Sequence, residues 1–427
     1  MNVINGRPLE RLGFISFCWT VIALHFLLSG FVRGFIFRQL SDYLFFIPLP
    51  IVICILITSL SIDSKIRFFD FFCIALSLLL FLYQFILLMD GSINSKTAIY
   101  GWFLYGLPFL GMAAAQKCFN VKILERIIFL FEICLIPNLF FAVMQAVVGD
   151  SRYFSAGFGE GLQSAFGVQR ATGTFSSPAG YALYLTLTTS LLLVRNGFKK
   201  VPNHRNLISF SLLLFQLPIS GSRTAIMSVA LIFFMHLIFR KRASLTHATS
   251  GKSKLLVLVA SLSLVGIFWK FSSSSTVQAT LTRFLTANEI DPPLTRLFAQ
   301  LKVDFRDVGF LHGSGLGSRA NGTTVFGVDW VEFDVQRVLV EAGLVIGVII
   351  LVFRVILVLR ILENFSKNPQ AFELPLIAAV VPVLIFGQLM GQGTISAGTW
   401  LGLYILEYLR PEKDLRNQYK IRLGLSS

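Results

Sequence analysis

Charge is what this sequence has least of. Charged residues make up 14% of its 427 positions, where a soluble protein of this size carries about 25%. A chain so poor in charge cannot cover its own surface with polar groups. Acid is the scarcer sign, with 22 Asp and Glu against 37 Lys and Arg. Cysteine is sparse too: Cys18, Cys54, Cys73, Cys118 and Cys134 all fall in the first third of the chain, mostly inside apolar blocks. That pattern argues against a disulfide framework and has no metal-ligand spacing. No Asp-x-Asp pair occurs in the segments assigned below to the outer side, which disfavours a sugar-nucleotide transferase using a bound divalent ion. Metal-independent chemistry without a cofactor is expected. There is no internal repeat, no long low-complexity tract and no stretch that reads as a separate soluble domain.

What the sequence does have is apolar length. Hydrophobic residues make up 55% and the mean hydropathy is +0.73, arranged in blocks near the ~20 residues that cross a hydrocarbon core. Candidate spans fall at roughly 12–32, 43–61, 68–89, 98–116, 127–149, 178–194, 207–221, 224–239, 255–271, 335–353, 374–392 and 394–409. The first is too long for a signal-peptide core and lacks a small-residue cleavage site. The expectation is an all-α polytopic membrane protein of about twelve spans, with 1–427 as a single transmembrane domain. Alternate loops divide the charge unevenly. The set holding both termini carries 24 of the 37 Lys and Arg with 10 acids, and the other carries 13 with 12. The positive-inside rule places the first set, and both termini, in the cytoplasm. The net charge of +15 is thus a topology signal and calls for no nucleic acid.

Two outer loops stand out. Residues 150–177 end in Gly173-Thr174-Phe175-Ser176-Ser177-Pro178, with Pro178 suited to a helix start. Residues 272–334 form the largest loop, carrying Pro292-Pro293 and Gly313-Ser314-Gly315-Leu316-Gly317. Loops beyond about 12–15 residues are usually functional. Between them a tight hairpin brings Ser220-Gly221-Ser222-Arg223 to the outer boundary at best, with Arg223 slightly inside it.

Ionisable groups near membrane depth are expensive and become candidates for that reason. Arg170, Arg223 and Arg296 are the outer cations. A guanidinium grips phosphate oxygens through a two-pronged fork and stays charged, so their convergence would suit a lipid-linked phosphate or diphosphate. Each could instead anchor head groups or face solvent. Among the acids, Asp334, Arg337 and Glu341 fall at i, i+3 and i+7, a helical ladder in which Arg337 would neutralise two buried carboxylates. Glu332, at the mouth of the same span, is a candidate general base or a solvated loop acid. His312 reads more readily as a turn residue than as a catalyst. The Gly313-x-Gly315-x-Gly317 run follows no strand and lacks a P-loop Lys-Ser/Thr pair, so it is no nucleotide loop; it supplies a tight turn for close backbone approach.

In order, spacing and side of the membrane, Arg170-x-x-Gly173-Thr174-Phe175-x-x-Pro178, Ser222-Arg223, Arg296, Gly313-x-Gly315-x-Gly317 and Glu341-x-Gly343-x-x-x-Gly347 resemble bacterial O-antigen polymerases and O-antigen ligases over about residues 167–350. The resemblance implies a glycosyltransferase-C-like membrane enzyme of the inner membrane, active at the periplasmic face. Its donor would be an oligosaccharide on undecaprenyl diphosphate, without metal or nucleotide sugar. Arg223 and Arg296 would stabilise the leaving diphosphate, and Arg170, Asp334 and His312 would contribute to substrate binding. Ligases carry a histidine about nine residues before the Glu-x-Gly motif; Glu332 stands there instead. That departure favours a polymerase, with Glu332 as base. A ligase acting on lipid A-core is the alternative, and a lipid-linked glycan transporter or flippase is the contrasting class. A chain-length regulator and a flippase are candidate partners.

Overall fold

The computed structural model describes residues 9–32, 34, 46–62, 67–148, 170–198, 202–243, 303–319, 334–367, 373–387 and 393–409. Of these residues 84% are helical and none forms a strand. The reason lies in composition. Backbone groups surrounded by apolar side chains or lipid have no water to bond, and a helix satisfies them within its own segment.

The helices run in order as α1 (Leu9–Phe31), α2 (Pro48–Ile62), α3 (Phe68–Met89), α4 (Ser95–Tyr105), α5 (Leu107–Cys118), α6 (Val121–Ile133), α7 (Leu135–Val148), α8 (Pro178–Phe198), α9 (Asn203–Ile219), α10 (Arg223–Ala243), α11 (Asp334–Lys367), α12 (Leu374–Phe386) and α13 (Gly393–Leu409). Local chemistry sets several ends. The Asn94 side chain accepts from Thr97 N–H at the start of α4, and Asn120 does the same for Ile123 at the start of α6, each an N-cap. Gly106 separates α4 from α5, with Pro108 in the first turn of the latter.

Among the described residues, five helical runs are long and apolar enough to cross a membrane: Gly13–Phe31, Phe68–Met89, Ser95–Ala115, Val121–Val148 and Asp334–Ser366. Shorter apolar helices lie at Pro48–Thr58, Arg223–Ile238 and Leu374–Ile385. The faces turned outward are themselves apolar, with Phe71, Phe85 and Ile86 of α3 and Val345, Val348, Val352, Val355 and Leu359 of α11 all exposed. In water such a surface would be aggregation-prone; in lipid it is the expected boundary. This is a membrane protein. The predicted span at 255–271 lies outside the described residues.

Ring contacts fix how the helices run against one another. Trp19 of α1 packs edge-on to Tyr404 of α13 at 5.4 Å and to Phe119 at 5.2 Å, while Phe26 lies 5.3 Å from Phe175. Phe109 of α5 bridges Trp400 at 5.4 Å and Phe353 of α11 at 5.0 Å. One end of the bundle therefore gathers the close of α1, the 170–177 loop, the α9–α10 turn, the α3–α4 turn and residues 303–319.

The largest departure from the sequence reading is α11. A continuous span over 335–353 was expected. Instead Gly343 adopts φ 75° and ψ 169°, and the chain reverses. On an unbroken helix Asp334 and Arg354, 20 residues apart, would be separated by about 30 Å; here Arg354 Nη1 lies 2.6 Å from Asp334 Oδ2. A Cβ on Gly347 would stand 3.1 Å from Leu339 Cα, so the two legs are in backbone contact. Residues 334–342 form a short half-helix folded back along the long leg 344–367, and only the long leg can cross a bilayer. The reversal is possible because glycine accepts positive φ at little cost and lets the legs close up.

Candidate functional site

The corner of this hairpin holds the glycine-rich turn Gly313-Ser314-Gly315-Leu316-Gly317. Glu341, completely buried, is the centre of the joint. Its Oε2 accepts from the Tyr105 hydroxyl at 2.7 Å and from Gly317 N–H at 2.8 Å; its Oε1 accepts from Arg319 N–H at 2.7 Å. A buried carboxylate needs several donors to offset its lost hydration, and α4 and the turn supply them. The Glu341 carbonyl accepts from Gly315 N–H at 3.0 Å and from the Tyr83 hydroxyl at 3.1 Å, and that hydroxyl accepts in turn from Gly313 N–H at 2.9 Å.

On the other flank, Gln84 of α3 grips Leu316 twice. Its Nε2 donates to the Leu316 carbonyl at 2.8 Å, and its Oε1 accepts from Leu316 N–H at 3.2 Å. The first amides of the long leg, left without intrahelical acceptors by the break, are taken up as well. Leu344 N–H donates to Gly309 O at 2.8 Å and Val345 N–H to Phe310 O at 3.2 Å. Gly313 and Gly317 admit this docking because a Cβ would meet Val340 O at 2.1 Å in one case and Gly101 Cα at 2.9 Å in the other. The sequence reading of these glycines as a turn for close backbone approach is what the geometry has.

The second loop is seated the same way. Gln145 Oε1 accepts from both Thr172 N–H at 2.8 Å and Gly173 N–H at 2.9 Å, and Gln145 Nε2 donates to Gly173 O at 3.0 Å. Asn138 Oδ1 accepts from Thr174 N–H at 2.9 Å, and the Thr174 hydroxyl donates to Leu27 O at 2.6 Å. Phe31 N–H closes the end of α1 on Thr174 O at 2.9 Å. Thr172 through Ser177 are all buried, so this segment is an inward-seated loop leading into α8.

The candidates named from sequence fall as follows. Arg170 is half-buried at the start of the inward loop. Arg223 is half-buried as the first residue of α10, beyond a tip in which Ser220 and Ser222 are buried and the Ser222 hydroxyl accepts from Ala225 N–H at 3.3 Å. His312 is exposed, and its backbone packs 3.0 Å from the position of a Gly343 Cβ. The sequence reading ends the 272–334 loop at Asp334. That residue lies instead about 15 Å along the hairpin from the corner by helical rise, 2% exposed, paired with Arg354 at 2.6 Å and Arg337 at 3.5 Å. Arg354 also donates from Nε to Leu384 O at 3.1 Å, satisfying a carbonyl in the last turn of α12 where a cation is favoured. Arg337 meets Asp334 as expected and also attracts Glu341, whose carboxylate takes its hydrogen bonds from a phenol and main chain. Glu332 and Arg296 lie outside the described residues.

Glu341, an acidic candidate in the sequence as part of an ion-pair ladder, proves to be the fastening of the site; its supports Gln84, Tyr83, Tyr105, Asn138 and Gln145 are not among the sequence candidates. A readable signal existed: two Tyr, two Gln and one Asn inside otherwise apolar runs. The opposite end of the bundle has its own polar cluster. Glu132 accepts from Arg195 Nη1 at 2.7 Å and from the Ser209 hydroxyl at 2.6 Å, and is bonded by Arg205. Arg360 pairs with Glu407 at 3.3 Å and lies 3.6 Å over the Phe69 ring. Those groups tie helices together and hold no inward-seated loop. No group of three or more metal-ligating side chains occurs among the described residues.

No protein-family profile matches the chain, and no curated protein matches it in sequence.

Proposed function

We propose that the chain is a polysaccharide polymerase, a glycosyltransferase of about twelve spans and glycosyltransferase-C-like architecture in a bacterial inner membrane. It would join undecaprenyl-diphosphate-linked repeat units at the periplasmic face, for O-antigen, capsule or exopolysaccharide. The observation that carries this reading is the pair of loops, 170–177 and 309–319, fastened by buried Asn, Gln and Glu side chains into one end of the bundle. Arg170, Arg223 and Arg319 all belong to that end. Rigid seating of this kind suits a site that must hold a reacting group to within a fraction of an ångström. The arginines would stabilise the departing lipid diphosphate electrostatically, Arg296 would join them, and Glu332 would take the proton from the acceptor hydroxyl.

A gel of surface glycans from a deletion strain beside its parent tests the proposal. Core bearing a single repeat with the ladder gone is expected. Bare core with long glycan left on its carrier would instead mean a ligase. A second reading, transport of a lipid-linked glycan, draws on α11: a discontinuous helix with a deeply buried ion pair is a transporter feature. Loss of all surface glycan, with unpolymerised repeats retained on the carrier at the cytoplasmic face, would favour it.

A further inference from the structure

We infer that residues 305–311, part of the segment between helices α10 and α11, are seated in the bilayer, with Phe310 and Leu311 among the acyl chains and Arg306 at the head groups. The occupant of this surface is bulk membrane lipid, and the inference does not rest on the polymerase reading.

In the sequence these residues are a mixed stretch, two apolar positions among Asp304, Arg306, Asp307 and His312. The structure turns the apolar ones outward. Phe310 is 68% exposed and Leu311 61%, and Phe305 is exposed beside Arg306. Large apolar side chains held away from the fold gain by leaving water, and their neighbours show what they enter.

The main chain of Phe310 is fixed against the first turn of the long leg of α11. Val345 N–H donates to Phe310 O at 3.2 Å, and Leu344 N–H to Gly309 O at 2.8 Å. Val345 itself begins an exposed apolar stripe that continues through Val348, Val352, Val355, Leu359 and Leu362 and stops at exposed Glu363. That stripe is the lipid-facing side of a crossing helix. Its rise is about 26 Å, less than the ~30 Å of a hydrocarbon core. A core whose edge lies at Leu362 therefore extends past Val345, to the level of Phe310 and Leu311, and any tilt of the leg sets Val345 deeper still.

Helix α3 gives the same level independently. The Tyr83 hydroxyl accepts from Gly313 N–H at 2.9 Å. Beyond Tyr83 the helix runs six more residues to Met89, about 9 Å further toward that end, and Phe85, Ile86 and Met89 on this stretch are exposed. Two helices that hold the segment thus carry lipid-facing residues at its level or past it. The charged residues agree. The Arg306 side chain is 88% exposed, with Nε donating to Asp304 Oδ1 at 3.0 Å, and its long stem can carry the guanidinium to the head groups. Apolar side chains with a basic neighbour suit an interfacial anchor.

The test uses full-length protein carrying Phe310→Cys, Leu311→Cys or Arg306→Cys, spin-labelled in vesicles of phosphatidylethanolamine and phosphatidylglycerol without polyprenyl lipid. Power saturation compares access of oxygen and of a water-soluble nickel chelate present on both sides, with the signal from the native thiols subtracted. Val348→Cys is the lipid reference and Lys122→Cys, at an exposed position, the aqueous one. All five positions are exposed, so each variant should fold. The oxygen-to-nickel ratio at 310 and 311 is expected to match Val348→Cys and to stand several-fold above Lys122→Cys, with Arg306→Cys between. Nickel access at 310 and 311 equal to that at Lys122→Cys would put the segment in water and overturn the inference. Exclusion of both reagents would mean that a second copy or another protein covers the patch, and would overturn it too. A lipid-like ratio seen only after adding undecaprenyl phosphate would make the occupant a carrier lipid, again against the inference. The polymerase reading keeps its own test and survives any of these results.

Discussion

At the scale of single residues, two glycines share almost the same φ but differ in what surrounds them. Gly91 has φ 73° and open space where a Cβ would be; Gly343 has φ 75° and three main-chain atoms of His312 within 3.0–3.1 Å of that position. Putting a side chain in the left-handed region costs about 1–2 kcal/mol. Gly91→Ala should lose about that much, read as a small fall in the detergent unfolding midpoint. Gly343→Ala should lose distinctly more, and should also expose the 303–319 segment to limited proteolysis, because the turn cannot stay seated on the corner. Equal shifts for the two variants would mean that the corner is held by something other than this contact. Glu341 shows the complementary case of a residue whose meaning lies in its partners. As a letter in the sequence it is one more acid near a span, readable as half of an ion-pair ladder. Its phenol and amide donors come from α4 and the turn, over 200 and about 20 residues away along the chain.

Among the elements, the fold-back of α11 makes the sharpest prediction. On a continuous helix Asp334 and Arg354 would be some 30 Å apart and their substitutions would add. In the hairpin they share a 2.6 Å contact. Removing one member of a buried pair leaves the other charge without compensation and costs about 3–5 kcal/mol. Asp334→Asn and Arg354→Met should each lower thermal stability strongly, and the double variant should be markedly less destabilised than the sum. A coupling energy near zero would restore the straight span. The sequence held both halves of this feature. Gly343 and Gly347 were noted as a motif, but the period of the apolar residues continues through 334–367 with no interruption, so periodicity alone reads one helix. What it lacked was a reason for Arg354 to sit in the run Val352–Leu359; only a partner 20 residues back supplies one. The breaks at Gly106 and Cys134 escaped for a similar reason, since each leaves a run still long enough to cross.

For the whole molecule, the proposed orientation follows from the uneven division of Lys and Arg between alternate loops. Alkaline phosphatase fused after Val148 should be active, and fused after Phe198, Lys367 or Leu409 inactive. The Lys367 fusion is the informative one, because the half-helix 334–342 runs opposite to the long leg and must not be counted as a crossing. Activity after Lys367 would show that the half-helix crosses or that the orientation is reversed. Function enters at this scale too: both inward-seated loops lie at the end that the charge count assigns to the outer side, where the lipid-linked donor proposed above would be met.

The sequence by itself determined that this is a helical membrane protein, where several of its helices begin or end, and which glycine motifs form turns. Those properties follow from composition, period and caps, which act over a few residues: Phe68–Met89 and the start at Pro178 were readable to the residue. The tertiary structure decided that α11 turns back at Gly343, that Asp334 is buried against Arg354, and that Glu341, Gln84, Gln145 and Asn138 hold the two loops. Each of these depends on a polar group finding its partner across tens or hundreds of residues. A lone buried polar side chain announces in the sequence that it needs a partner, and only the packed bundle says which one.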